Sequence, residues 1–251
     1  MEFAFQTDSG MVRPHNEDSG GIFKNNVGIL AIVADGMGGH QAGDVASSMT
    51  TEYFRSLWEQ KEERMTIDES EKWLIDHFNK INEKLFQHAN EHEECKGMGT
   101  TLVVAICTNE YVSIAHIGDS RAYVQNQNGF QLKTNDHSLV QELVNTGQIS
   151  EEEAEHHPRR NVILRALGTG LDIKVDVSTF QADESDYVFL CSDGLTDKLS
   201  KEDIAEQLQT NDEIQQKANN LIQLANERGG EDNITVAIIS MSLVRSDGSS
   251  S

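Results

Sequence analysis

Residues 28–39 read GILAIVADGMGG, an unbroken apolar run that stops at Asp35 and gives way to glycines. A run without polar alternation reads as a strand buried on both faces, and Gly36, Gly38 and Gly39 read as the tight loop that follows it. The arrangement returns at 187–194, YVFLCSDG, where Asp193-Gly194 follows a second apolar run, and Gly118-Asp119 and Asp232-Asn233 sit at the boundaries of two more. A single Asp-Gly is most often only a turn pair. Four aspartates in this one setting carry more weight, because a bare carboxylate beside a core is costly unless it is paired or metal-bound. Mg²⁺ and Mn²⁺ take oxygen ligands in octahedral sites, and a glycine beside the carboxylate lets backbone carbonyls and waters approach the ion. Two such cations clamp an oxygen nucleophile and lower its pKa, with no need of a Ser, Cys or His nucleophile.

Outward from these strands, a helix is expected from about Asp44 to Gln60. A second is signalled by Leu74, Phe78, Ile81 and Leu85, whose four- and three-residue steps share one face. Strand-like segments follow at 100–107, 111–117, 121–125 and 130–133, the last beyond the hairpin pair Asn128-Gly129, and the short links between them imply antiparallel pairing. Residues 139–156 read as short helices around Gly147, with Ser150 capping through Glu153, and Pro158, Arg159 and Arg160 mark a loop-rich excursion. Strand signals resume near 173–180 and at 187–191. Helices are expected at about 201–208 and 212–227, and a last strand at 234–241. Hairpins interrupted by helix pairs argue for an α+β layered domain rather than alternating βαβ units. The expectation is one domain over 1–243 and a disordered polar tail over 244–251, where the chain ends RSDGSSS.

The 251 residues carry 42 Asp and Glu against 20 Lys and Arg, a formal charge of -22. That field repels nucleic acid and anionic membranes, so neither is an expected partner. It is equally awkward for a phosphorylated substrate unless bound cations reverse its sign locally, so acidity and phosphate chemistry are compatible only through metal. No basic-then-apolar leader opens the sequence and no apolar stretch approaches the roughly 18–20 residues of a membrane span, which leads to a cytoplasmic expectation. Cys95, Cys107 and Cys191 are odd in number and widely spaced, as in a reducing compartment. None of them is followed by the arginine that a cysteine-dependent tyrosine phosphatase needs.

The ordered set Arg13-x-x-Asn16-Glu17-Asp18, Asp35-Gly36-Met37-Gly38-Gly39-His40, Gly97-Met98-Gly99-Thr100-Thr101, Gly118-Asp119-Ser120-Arg121, Asp136-His137-Ser138, Ser192-Asp193-Gly194-Leu195-Thr196-Asp197 and Asp232-Asn233-Ile234-Thr235 spans nearly the whole chain. In it the sequence resembles the metal-dependent type 2C serine/threonine protein phosphatases, especially the compact bacterial members. The resemblance implies a four-layer α-β-β-α sandwich, two antiparallel sheets packed face to face and flanked by helices. It implies a binuclear Mg²⁺ or Mn²⁺ centre at one end, where a metal-activated water attacks phosphoserine or phosphothreonine directly. Asp35 would bridge the two ions. Asp193 and Asp232 would complete the first, and the Gly36 carbonyl with Glu17 or Asp18, directly or through water, would serve the second. A third, weaker ion would use Asp119 with Asp193. Arg13 matches the phosphate-binding arginine, and its planar guanidinium suits two phosphate oxygens.

The histidine that animal members place just after the Asp-Gly is Met37 here. His40, further on, is a candidate for protonating or positioning the leaving oxygen, or a loop histidine with structural hydrogen bonds. The segment 139–167 corresponds to the family's flap, and Asp136-His137-Ser138 to its link. Arg159, Arg160 and Arg165 either meet acidic groups of a phosphoprotein or balance the acidic surface. Implied partners are phosphorylated proteins, among them a cognate serine/threonine kinase, with the protein itself a monomer. Two other classes fit the sequence less well. A non-catalytic metal-binding protein on the same fold would show decayed ligands, yet Asp35, Asp193, Asp232 and Arg13 are all present. A nucleotide-binding loop would need glycine where Gln41 stands.

Overall fold

Successive residues of β3 (Ile29–Met37) face two different cores. Ile29, Ala31 and Val33 belong to one buried cluster and Leu30, Ile32 and Ala34 to another. Side chains alternate across a strand, so an uninterrupted apolar run is what a strand covered on both faces requires. The computed structural model describes residues 1–39, 42–182 and 187–241. His40 and the tail 244–251 lie outside the described residues.

Two antiparallel sheets supply those faces. One has the order β1 (Glu2–Asp8), β11 (Ile234–Ser240), β10 (Tyr187–Cys191), β7 (Arg121–Asn126), β8 (Gly129–Leu132). The other runs β2 (Asp18–Lys24), β3, β5 (Leu102–Cys107), β6 (Tyr111–Ile117), β9 (Asp176–Gln181), with the short β4 (Gly99–Thr100) pairing the end of β3. Ala31, Val33, Val103 and Ala105 of the second sheet share a core with Val124, Val188, Leu190, Ala237 and Ile239 of the first. The sheets are therefore packed face to face. The outer face of the second is covered by α1 (Ala42–Glu59) and α2 (Ile67–Glu91), that of the first by α6 (Lys201–Gln209) and α7 (Ile214–Glu227). This is the expected α-β-β-α sandwich.

On α2, Leu74, Phe78, Ile81 and Leu85 are all 1% exposed or less. Each is worth about 1.5–3 kcal/mol when fully removed from water, and together they hold a helix whose other face is charged. Thr66 and Glu69 form a capping box at its start, and the expected box of Ser150 and Glu153 opens α4 (Glu151–Glu155). Neither α4 nor α3 (Leu139–Asn145) buries any residue, in keeping with an excursion outside the core.

Three expectations change. Strands β1 and β2 were not anticipated. β2 reads DSGGIFK and β1 buries only Ala4 fully, so neither carries an apolar signature, and each is a strand because β11 or β3 offers a full ladder to it. Asp35 lies inside β3 rather than at its end, since pairing of Gly36 with Thr100 and Met37 with Gly99 carries the strand on. Asp193 begins a one-turn helix, α5 (Asp193–Thr196), with Ser192 in extended conformation before it. No helix among the described residues is long and apolar enough to cross a membrane.

Candidate metal centre

Antiparallel pairing collects the carboxylates at one end of the sandwich. The register of β2 on β3 sets Asp18 directly opposite Asp35. Because β10 and β11 run in opposite senses, the residues after Cys191 lie beside those before Ile234, which brings Asp193 next to Asp232. Asp119 sits in the turn from β6 to β7, where the chain crosses from one sheet to the other. Gly118 in that turn has φ +105°, and a Cβ there would run into Thr101, so glycine is required on both counts.

Hydroxyls and amides hold these acids. Asp18 accepts from Ser192 Oγ and Thr235 Oγ1, both at 2.7 Å. The Asp35 backbone is fixed by Thr101, whose N–H donates to its carbonyl at 2.9 Å and whose Oγ1 accepts its N–H at 3.0 Å. The Thr100 hydroxyl donates to the same carbonyl at 2.9 Å. Asn233 Oδ1 accepts the Glu17 N–H at 2.8 Å, and Asn233 Nδ2 donates to the carbonyls of Ser9 and His15. Gly36 donates to the Glu17 carbonyl at 3.1 Å, and any side chain at 36 would collide with Gly43 and Glu17. The motifs containing Thr100, Thr101, Ser192, Asn233 and Thr235 were visible in the sequence. Their part in orienting the acids was not, because it depends on cross-strand register.

The cluster is short of positive charge. Burial, followed by the charges of Asp18, Asp193 and Asp119, raises the Asp35 carboxyl well above the usual range. Burial pushes Asp18 up to about 7 and Asp119 up to about 8, the latter helped by Asp193. Asp193 rises to about 6 through burial and the nearby Asp197 and Asp232. Glu17 is also raised, first by burial and then by Asp44 and Asp232, against the pull of Arg13. Arg13 sits at the rim, its NH2 donating to Asp232 Oδ2 at 2.8 Å with both side chains substantially exposed.

Such a set fits hard divalent cations. Asp18 Oδ1 and Asp119 Oδ1 are buried with no hydrogen-bond partner, a costly state that an ion or its water would relieve. Among the described residues no three of these carboxylates bring oxygens within 4.8 Å of one another. From Asp119 and Asp193 a cavity of about 580 Å³ runs out beneath α3 and α4, past Asp136, Val144, Glu155 and Arg160. Of the flap arginines, Arg160 reaches Asp197 at 3.4 Å, while Arg165 turns towards Asp176.

A β-sandwich flanked by helices, with orphaned carboxylate oxygens at one end, defines a scaffold that fits divalent cations. The chain belongs to the protein phosphatase 2C family, whose profile matches residues 13–235. It is 42% identical over 246 residues to the serine/threonine phosphatase Stp of Listeria welshimeri, covering 98% of each chain. The structure of the serine/threonine phosphatase Stp1 from Staphylococcus aureus is similar at a TM-score of 0.90 and 41% identity, covering 95% of this chain and 94% of that one. The catalytic domain of the serine/threonine protein phosphatase PstP, solved in complex with 2 manganese ions, is similar at a TM-score of 0.82 and 34% identity, covering 94% of this chain and 96% of that one.

Proposed function

We propose that this member of the family hydrolyses phosphoserine and phosphothreonine in proteins at a centre of Mn²⁺ or Mg²⁺ ions assembled around Asp35. The observation that carries the reading is the ring of buried, proton-hungry acids with unpartnered oxygens at the end of the sandwich. Bound there, the ions supply Lewis-acid activation of water and offset the phosphate charge. Asp35 would hold the ions together with Asp193 and Asp232. The Gly36 carbonyl and the pair Glu17 and Asp18, directly or through water, would add further oxygen ligands, with Asp18 held in place by Ser192 and Thr235. Asp119 with Asp193 takes a third, weaker ion.

Arg13, at the rim beside Asp232, exchanges that carboxylate for the substrate phosphate, whose oxygens its fork matches. With Met37 after the Asp-Gly, His40 is the candidate for positioning or protonating the leaving oxygen. Residues 1–243 act as one catalytic domain, 139–167 as a flap over the cavity that receives the substrate chain. A cytoplasmic monomer acting against a serine/threonine kinase is the setting in which this chemistry is expected. Phosphate release from a phosphothreonine peptide tests the reading. Release should require Mn²⁺ or Mg²⁺ and stop on chelation; tight Mn²⁺ binding with no release would make the protein a non-catalytic relative.

A further inference from the structure

His137 stands where three parts of the molecule meet. Its N–H donates to the Gly118 carbonyl at 2.9 Å, and its carbonyl accepts the Leu164 N–H at 2.7 Å. Its buried ring accepts the Gly118 N–H at Nδ1, 3.1 Å, and presents Nε2 to Asp176 Oδ2 and to Arg165 NH1, each at 3.2 Å. Gly118 is the residue before Asp119. Leu164 belongs to the returning limb of the flap, which is also bound through the Leu139 N–H to the Val162 carbonyl at 2.8 Å and through the bridge between Ser138 and Ile163. On its other side the ring stacks on His116, centroids 4.7 Å apart and planes 15° from parallel.

One ligand atom each of His116, His137 and Asp176 lies within 4.8 Å of the others, the composition of a transition-metal triad. The hydrogen bonding argues against that use. A neutral imidazole has one lone pair: the Gly118 N–H claims it at Nδ1 and the acceptor-only Asp176 carboxylate takes the proton at Nε2, against the single donor Arg165 NH1, so the ring carries its proton on Nε2 and cannot offer that nitrogen to a metal. The cation beside Asp176 is already Arg165, at 3.7 Å. Metal-ligating imidazoles have the opposite arrangement, donating from the nitrogen that faces away from the ion.

We propose that His137, in its Nε2–H form, is a positioning residue that holds the Gly118-Asp119 turn at the metal centre and ties it to the flap. Occupancy of the weaker cation site and docking of the flap are thereby coupled. This rests on the assignment of Asp119 made above. The turn is also tied by Ser120 Oγ, 2.8 Å from Thr101 Oγ1, on the far side of Asp119. Gly118 is in a left-handed conformation against Thr101, and its buried N–H has the imidazole as its acceptor. Without that acceptor the amide is left unpaired at the point where the chain passes between sheets, and the direction of Asp119 is released with it.

Asparagine at 137 places an amide oxygen near the Nδ1 position, glutamine places its amide near Nε2, and alanine supplies neither. Mn²⁺ titration calorimetry of the three variants should show the weakest site about tenfold or more poorer in His137→Ala and His137→Gln, as for loss of one buried hydrogen bond. In His137→Asn it should stay within about threefold, and the two tighter ions should bind unchanged throughout. Hydrogen exchange of the Gly118, Val162 and Leu164 amides should quicken together in the glutamine variant and not in the asparagine variant. In the unsubstituted protein, ¹⁵N resonances should report a bare Nδ1 and a protonated Nε2, a measurement that needs no variant to fold. Equal third-site affinity in the asparagine and glutamine variants, or a ring protonated at Nδ1, overturns the proposal. If the unsubstituted protein binds its ions but releases no phosphate, the phosphatase reading fails and the His137 comparison still stands.

Discussion

At the scale of single residues, the outcome turns on how much negative charge the cluster bears before cations arrive. Asp193→Asn keeps the side chain's size and removes one charge. Turnover of a phosphothreonine peptide should fall by at least about a thousandfold, as expected when electrostatic stabilisation at the reacting centre is lost. The metal-free protein should melt no lower than the unsubstituted one, because the carboxyl removed is one that burial and Asp197 hold unfavourably. Undiminished turnover would remove Asp193 from the centre. Arg13 is half-exposed and contacts only the rim of the cluster. Arg13→Ala should raise KM for the peptide by about tenfold with a smaller change in kcat, the pattern of lost ground-state binding. An unaltered KM in steady-state assays would take Arg13 out of the phosphate site.

At the scale of elements, the helices are held by packing and the strands by their neighbours. Phe78 is fully buried and meets Phe54 edge to face at 5.6 Å. Phe78→Ala should cost about 3–5 kcal/mol in denaturant unfolding, the range for truncating a buried aromatic. Thr66→Ala, which breaks the capping box of the same helix, should cost about 1 kcal/mol. A ratio near one between the two would mean that the helix is held by its ends rather than its face. Helices α1, α6 and α7 were legible in the sequence to within a few residues, and α2 was legible as a helix from its apolar stripe but not in its bounds. β1 and β2 were not legible, since DSGGIFK becomes a strand only where β3 stands beside it.

For the whole molecule, the acid cluster links stability to pH and to metal. Asp193, Asp18 and Asp119 are pushed up to about 6, 7 and 8 in the metal-free fold. Raised carboxyls hold protons in the folded chain that the unfolded chain has released. Their contribution is fully present below about pH 4 and is lost as pH rises through the folded values. Cations bind the deprotonated form and oppose that loss. The gap in Tm between Mn²⁺-saturated and metal-free protein should therefore widen from about pH 5 to about pH 8 in calorimetric scans. A gap independent of pH would mean that these acids are not the ligands.

The sequence by itself determined the layered class, the helices, the buried strands and the four aspartates that share one setting at strand boundaries. All of these rest on local periodicity or on residue types at fixed spacing. Only the tertiary structure decided that Asp18 faces Asp35 across a strand pair and that Ser192 and Thr235 hold Asp18. It alone decided that Asp35 lies within a strand, and that His137 joins the Gly118-Asp119 turn to the chain at Leu164. Each of those facts is a hydrogen bond or register between residues far apart in the chain. A long-range partner is selected by the geometry of the assembled sheets and leaves no periodic trace in either segment.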